Sequence, residues 1–255
     1  MGEGDSKVAL VVGGGTGIGY AAAVRLARRG LAVVLAGRRD DVLGDAAVRL
    51  RSEVPGADVA TVAGDGGREE DAARMVATAV DSFGGLDVLV NCAGIYEPVP
   101  FLELTEETWR RTMSATLDAQ LYVGVAAARQ MVERGGGRVV LISSINSPLS
   151  EPESAHYSAA KAAVSSLARS MAVDLSVHGI SANAIAPGWV HTAMVDDFVR
   201  NASPESLQRL NMLGRVGQAD EIANAIEYLS VDAPSYLTGA TVFVDGGQTA
   251  MAPLV

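Results

Sequence analysis

Short apolar runs rich in β-branched residues alternate along this chain with longer stretches in which apolar residues recur at helical spacing. The runs fall at 8–12, 31–36, 58–63, 86–90, 138–143, 180–185 and 240–244, each too brief for a buried helix. Between them, helical spacing covers 20–29, 41–51, 69–83, 105–133, 155–177 and 218–229. The punctuation agrees: Pro55 and Gly56 close one helix, Thr105 caps another with Glu106 and Glu107 in its first turn, and Gly135 and Gly179 follow the two longest. Residues 189–214 keep neither period, and their mixed polarity suits a mobile cover over a substrate.

Strands alternating with helices predict an α/β chain: a single-domain Rossmann fold over 1–255, with a doubly wound, mainly parallel, seven-stranded sheet and helices on both faces. In such a sheet ligands lie beyond the carboxyl ends of the strands, so the residues just after each apolar run are the ones placed to meet them.

After the first run stand Gly13, Gly14, Gly15, Thr16, Gly17, Ile18 and Gly19, opening directly into a helix. A strand, a tight turn and a helix start offer free backbone N–H groups and a positive end to a phosphate, and glycines let a pyrophosphate approach. No Gly-Lys-Ser/Thr follows, which argues against a nucleoside triphosphate loop and for a dinucleotide. After the second run come Gly37, Arg38 and Arg39, where a dinucleotide's adenosine ribose falls. An acid there would bond both hydroxyls of NAD(H). Gly37 removes it, and the Arg38 fork favours the added phosphate of NADP(H), with NAD(H) as the alternative and solvated surface arginines as the bland reading. Asp65, followed by Gly66, stands just beyond the third run and either meets the adenine amino group or caps the next helix. After the fourth, Asn91 can hold neighbouring backbone, and Ala93 and Gly94 let the chain pass beside a flat ligand; Cys92 between them reads as a small buried hydrophobe.

Composition narrows the field. Hydrophobic residues make up 49 %, the single cysteine excludes an intrachain disulfide, and three scattered histidines form no metal cluster. A net charge of −10 disfavours nucleic acid. With no apolar stretch long enough to cross a bilayer and an acidic start at 1–6, a cytoplasmic protein with no membrane partner is expected. All but Lys7 and Lys161 of the 20 basic residues are arginines, so Lys161 invites a specific reason.

Tyr157 and Lys161 lie four apart at the start of the helix at 155–177, on one face, and Ser144 follows the fifth run at the same sheet edge as the glycine loop. Spacing alone also describes two surface neighbours. Beside a nicotinamide, the trio would serve hydride transfer: the ammonium lowering the phenol's pKa, the phenol exchanging a proton with the substrate oxygen, and the serine holding that oxygen.

With the glycines at 13, 17 and 19, Asn91-Ala93-Gly94, Ser144, Tyr157 with Lys161, Asn183, Pro187-Gly188-Thr192 and Asp245-Gly246-Gly247, the chain resembles the short-chain dehydrogenase/reductase family from Lys7 to Gly247. The resemblance implies catalysis by Ser144, Tyr157 and Lys161, cofactor contacts at Pro187, Gly188, Val190 and Thr192, and a homotetramer or dimer of single-domain subunits. Val12 stands where the family has a threonine, and Cys92 replaces a second asparagine. Thr116 falls where the family carries an asparagine that helps hold a water between the lysine and solvent, and a threonine lacks the amide's paired donor and acceptor. Retained activity with an altered proton path is expected.

For the substrate, a small molecule, Tyr96, Ile145, Trp189, Met194 and Phe198 predict an apolar wall with Asn146 as a polar contact, favouring a hydrophobic ketone or alcohol. A 3-oxoacyl thioester reductase, a same-fold epimerase or dehydratase, and a non-catalytic nucleotide-binding scaffold are the alternatives.

Overall fold

A computed structural model describes residues 7–192, 195–201 and 203–251, apart from the side chains of 197, 198, 199 and 204. Its seven-stranded sheet comprises β1 (Val8–Val12), β2 (Ala32–Gly37), β3 (Val59–Ala63), β4 (Val88–Asn91), β5 (Gly137–Ile142), β6 (Ile180–Pro187) and, after two short outlying strands, β9 (Thr241–Val244). The spatial order is β3-β2-β1-β4-β5-β6-β9, and every neighbouring pair is parallel. The sheet winds outward in both directions from the β1–β4 boundary, which opens a crevice beyond the strands' carboxyl ends.

Burial on both faces explains the unbroken apolar runs. Within β1, Ala9 and Val11 pack into the core beneath α1 (Gly17–Arg28), α2 (Asp40–Glu53) and α9 (Ala219–Glu227). Val8, Leu10 and Val12 pack oppositely against α3 (Glu69–Phe83), α5 (Ala119–Arg134) and α6 (Ala155–Leu175). The arginines find use here: Arg25 bonds Asp220 at 2.7 Å and Glu227 at 3.0 Å, tying α1 to α9. A planar fork suits that bidentate pairing better than an ammonium would.

Two expectations change in detail. The helix predicted over 105–133 is α4 (Glu106–Met113), a π-helical turn (Ser114–Asp118) and α5, with the Thr105 hydroxyl capping α4. Helical periodicity over the whole stretch concealed the wider turn. The segment at 189–214 is not wholly irregular: β7 (Val190–His191), α7 (Asp196–Asn201) and α8 (Pro204–Gln208) lie in it, and β7 pairs with β8 (Gly217–Gln218). These elements are too short for a period to register.

Gly19 locks the first turn onto the sheet. A Cβ there would stand 2.3 Å from the Gly13 carbonyl oxygen, a backbone atom that cannot swing aside. Gly19→Ala is therefore predicted to cost about 1–3 kcal/mol of stability through overpacking and to weaken dinucleotide binding, read by urea unfolding and by cofactor titration. An alanine variant with unchanged stability and affinity would contradict this packing role.

Candidate active site

One cavity of about 400 Å³ runs along the carboxyl ends of the strands, from Arg38, Arg39 and Asp65 at one end to Ser144, Tyr157 and Trp189 at the other. The glycine loop forms its floor. Gly13 and Gly17 have φ of +74° and +54°, where a side chain would be strained, and a Cβ on Gly15 would meet Val42 Cγ1 at 2.9 Å. At the start of α1 the Thr16 side chain makes no capping bond, so it leaves the first-turn N–H groups to another acceptor. An open helix start above a glycine floor is a cradle for a pyrophosphate, and the residues fit a dinucleotide.

At the far end of β2, Arg38 and Arg39 are exposed on the cavity rim, and among the described residues no hydrogen bond or ion pair engages either guanidinium. Asp65 Oδ1 accepts from Gly67 N at 3.0 Å, and the Asp65 N–H donates to Asp71. The carboxylate thus shapes its own turn while still lining the cavity beside Gly66. Asn91 is buried and does not line the cavity. Its amide donates to Ala119 O at 3.0 Å and accepts from Ala93 N at 3.1 Å, fixing the strand end against α5.

Ser143, at the end of β5, bonds the Lys161 carbonyl at 2.9 Å and the Ser165 hydroxyl at 2.7 Å, which seats α6 against the sheet. The seating brings Lys161 inward: its side chain is 3 % exposed and Nζ donates to Ile142 O at 2.8 Å. Burial lowers its pKa from 10.5 to about 8, partly offset by Cys92. One turn earlier, Tyr157 is half-buried with its ring centroid 5.6 Å from Lys161 Nζ and 5.0 Å from the Tyr96 ring. The expected lowering of the Tyr157 pKa is not what this arrangement gives. Burial pushes the phenol up to about 12, a hydrogen bond with Ser144 draws it down, and the charge of Glu151 raises it further. Lys161 spends its contact on Ile142 and lies too far away to outweigh desolvation. Cys92 is likewise pushed up to about 12 by burial, as befits a packed thiol rather than a nucleophile.

Thr116 lies in the π-helical turn, fully buried and outside the cavity lining. Its hydroxyl accepts from Ile95 N at 3.4 Å. A Cβ on Gly94 would sit 3.2 Å from Lys161 Nζ and 3.6 Å from Thr116 Oγ1, so a bare backbone is what separates the two. Beside them Gln120, which sequence reasoning missed, donates from Nε2 to Asn91 O and Ala93 O, both at 3.1 Å.

Pro187, Gly188, Val190 and Thr192 line the cavity where predicted, as do Tyr96, Ile145, Asn146 and Trp189; Met194 and the Phe198 side chain lie outside the described residues. Sequence reasoning also missed Glu151. Its carboxylate lines the cavity, accepting from Trp189 Nε1 at 3.0 Å and Asn146 Nδ2 at 3.3 Å. The available signal was an acid in the proline-containing loop tethered between Ser144 and Tyr157. That loop is bent tightly: Glu153 has φ of +61°, and its carbonyl accepts from Val99 N at 2.9 Å.

A parallel doubly wound sheet with a glycine-floored cavity and a serine, tyrosine and lysine at its other end defines a dinucleotide-binding oxidoreductase. A family model described as enoyl-(acyl carrier protein) reductase matches residues 13–249. The chain is 40% identical over 246 residues to cis-4-hydroxycyclohexanecarboxylate dehydrogenase of Sinomonas cyclohexanicum, covering 96% of this chain and 97% of that one. It is 36% identical over 245 residues to L-rhamnose 1-dehydrogenase (NAD(P)(+)) of Azotobacter vinelandii, covering 94% and 96%. The crystal structure of a gluconate 5-dehydrogenase from Burkholderia cenocepacia in complex with NADP and tartrate superposes with a TM-score of 0.91 at 34% identity, covering 97% of each chain. This chain belongs to the short-chain dehydrogenase/reductase family.

The depressed Lys161 pKa makes a signed prediction. Between pH 10.5 and about 8 the unfolded chain holds that proton and the folded chain does not, so stability falls as pH drops through this window and stays level below it. Lys161→Met removes the dependence. Unfolding of both proteins across the window is expected to show the stability of wild type, relative to the variant, rising with pH; a flat difference would show that the ammonium is not desolvated.

Proposed function

We propose that this protein is an NADP(H)-dependent oxidoreductase that interconverts a ketone and a secondary alcohol. The observation that carries the reading is the single cavity joining Arg38 at the ribose end to Ser144 and Tyr157 at the other, with Lys161 beneath. A bound nicotinamide supplies or accepts the hydride there. The glycine loop holds the pyrophosphate, and Val190 and Thr192 hold the carboxamide. Ser144 holds the substrate oxygen by a hydrogen bond. A phenol whose pKa stands at about 12 keeps its proton at neutral pH, and Tyr157 donates it to the oxygen as negative charge develops there; in the reverse direction it takes the alcohol's proton. Lys161 binds ribose hydroxyls and restores the phenol's proton along a path past Gly94 and Thr116. Residues 189–214 cover the substrate.

The unengaged Arg38 fork supports NADP(H) over NAD(H), and the NADP complex of the Burkholderia enzyme supports it by analogy. Exposed Leu121 and Val125, one turn apart on α5, support a homotetramer or dimer. A 3-oxoacyl thioester substrate is the second reading, favoured by the description of the matching family model.

Tyr157→Phe is expected to lower kcat with a ketone panel by about a hundredfold or more while leaving the NADPH Kd unchanged, followed by absorbance of the reduced nicotinamide and by equilibrium titration. Retained turnover would remove the phenol from the mechanism. In a binding competition, Arg38→Ala is predicted to weaken NADPH by about tenfold or more and NADH little; equal losses would contradict the cofactor assignment. Thr116→Asn should shift the pH profile of kcat, and an unchanged rate and profile would take this position out of the proton path.

A further inference from the structure

The substrate end of the cavity is not uniformly apolar. Glu151 is set into the wall formed by Tyr96, Ile145 and Trp189, and both its oxygens are fixed, Oε1 by the Trp189 indole and Oε2 by the Asn146 amide. Asn146 is 2 % exposed, and among the described residues its own Oδ1 has no partner. A hydrogen-bonded carboxylate therefore stands in an otherwise greasy wall. Among the described residues no arginine or histidine lines this end of the cavity; in the cover, His191 Nε2 lies 3.5 Å from Asp196 Oδ1, and Arg200 pairs with the same carboxylate. Burial raises the pKa of both Tyr157 and Tyr96, and the Glu151 charge adds to each in the same direction, with Glu153 contributing at Tyr96.

We infer that Glu151 selects the substrate by charge, admitting uncharged, hydrogen-bond-donating carbonyl compounds and alcohols and rejecting the same skeleton bearing a carboxylate. A substrate hydroxyl or amide N–H satisfies the carboxylate of Glu151. A substrate anion would instead meet a like charge in partly desolvated surroundings, an arrangement that discriminates by repulsion as much as by attraction. The inference rests on the redox reading of the site and names the class of molecule that site takes.

The test uses 4-oxocyclohexanecarboxamide and 4-oxocyclohexanecarboxylate, which share a shape and differ in charge, on wild type and Glu151→Gln, with binding read on the NADP+ complex and turnover with NADPH. The variant keeps an oxygen able to accept from Trp189. Wild type is expected to bind the carboxamide about tenfold or more tightly over the carboxylate, with the same bias in kcat/KM, and the variant to narrow it to within about threefold at unchanged cofactor affinity. Removing the charge should also move the alkaline limb of kcat to lower pH, a signature that a purely structural role for Glu151 would not produce. Equal binding of the two ketones by wild type, which needs no variant, would overturn the inference; so would a bias that survives in Glu151→Gln, or failure of the carboxamide to bind. Charge-selective binding without cofactor turnover would instead overturn the redox reading and leave the selectivity standing.

Discussion

The site depends on one buried contact, the 2.8 Å hydrogen bond from Lys161 Nζ to the Ile142 carbonyl at the end of β5. An ammonium is costly to desolvate, and here it is offset by that carbonyl while Ser143 bonds the backbone of the same residue. The two contacts fix the rotation of α6 about its axis. With that rotation set, Tyr157 one turn earlier faces the cavity, and Ser144, the next residue after Ser143, faces Tyr157. The requirement also explains why a chain that otherwise builds its ion pairs from arginine keeps a lysine here. A guanidinium is larger and remains charged, whereas an ammonium whose pKa has fallen to about 8 can exchange a proton near neutrality.

The phenol's high pKa has a consequence for direction. A carbonyl becoming an alkoxide draws a proton from a neutral acid, and burial keeps Tyr157 neutral across the ordinary pH range. Oxidation of an alcohol asks the reverse and needs the phenolate, which this environment disfavours until positive charge arrives. The carboxylate of Glu151 acts in the same sense as burial. One side chain thus bears both on which molecule enters and on the protonation of the group it meets.

Much of this was legible in the chain. The seven apolar runs became the seven strands of the main sheet because burial on both faces leaves no polar alternation to blur them. The glycine loop, Arg38, Ser144, Tyr157 and Lys161 could be placed because a parallel sheet puts every strand's carboxyl end on one edge. What escaped notice depends on distance rather than order. The π-helical turn at Thr116 keeps helical periodicity, Lys161 reaches a backbone carbonyl rather than the phenol, and Glu151 is one acid among several until its indole and amide partners are seen. Gln120 is similarly silent, since its role is to bond two backbone carbonyls at a strand end.

The central claim is that hydride passes within this cavity between nicotinamide and a substrate carbon. Turnover of an uncharged ketone with NADPH carrying two deuteriums on the reactive ring carbon, followed by mass spectrometry of the product, tests it most directly. The account predicts an alcohol carrying one deuterium on its carbinol carbon for each cofactor oxidised. An unlabelled product, or conversion of substrate with no net oxidation of the cofactor, would contradict it.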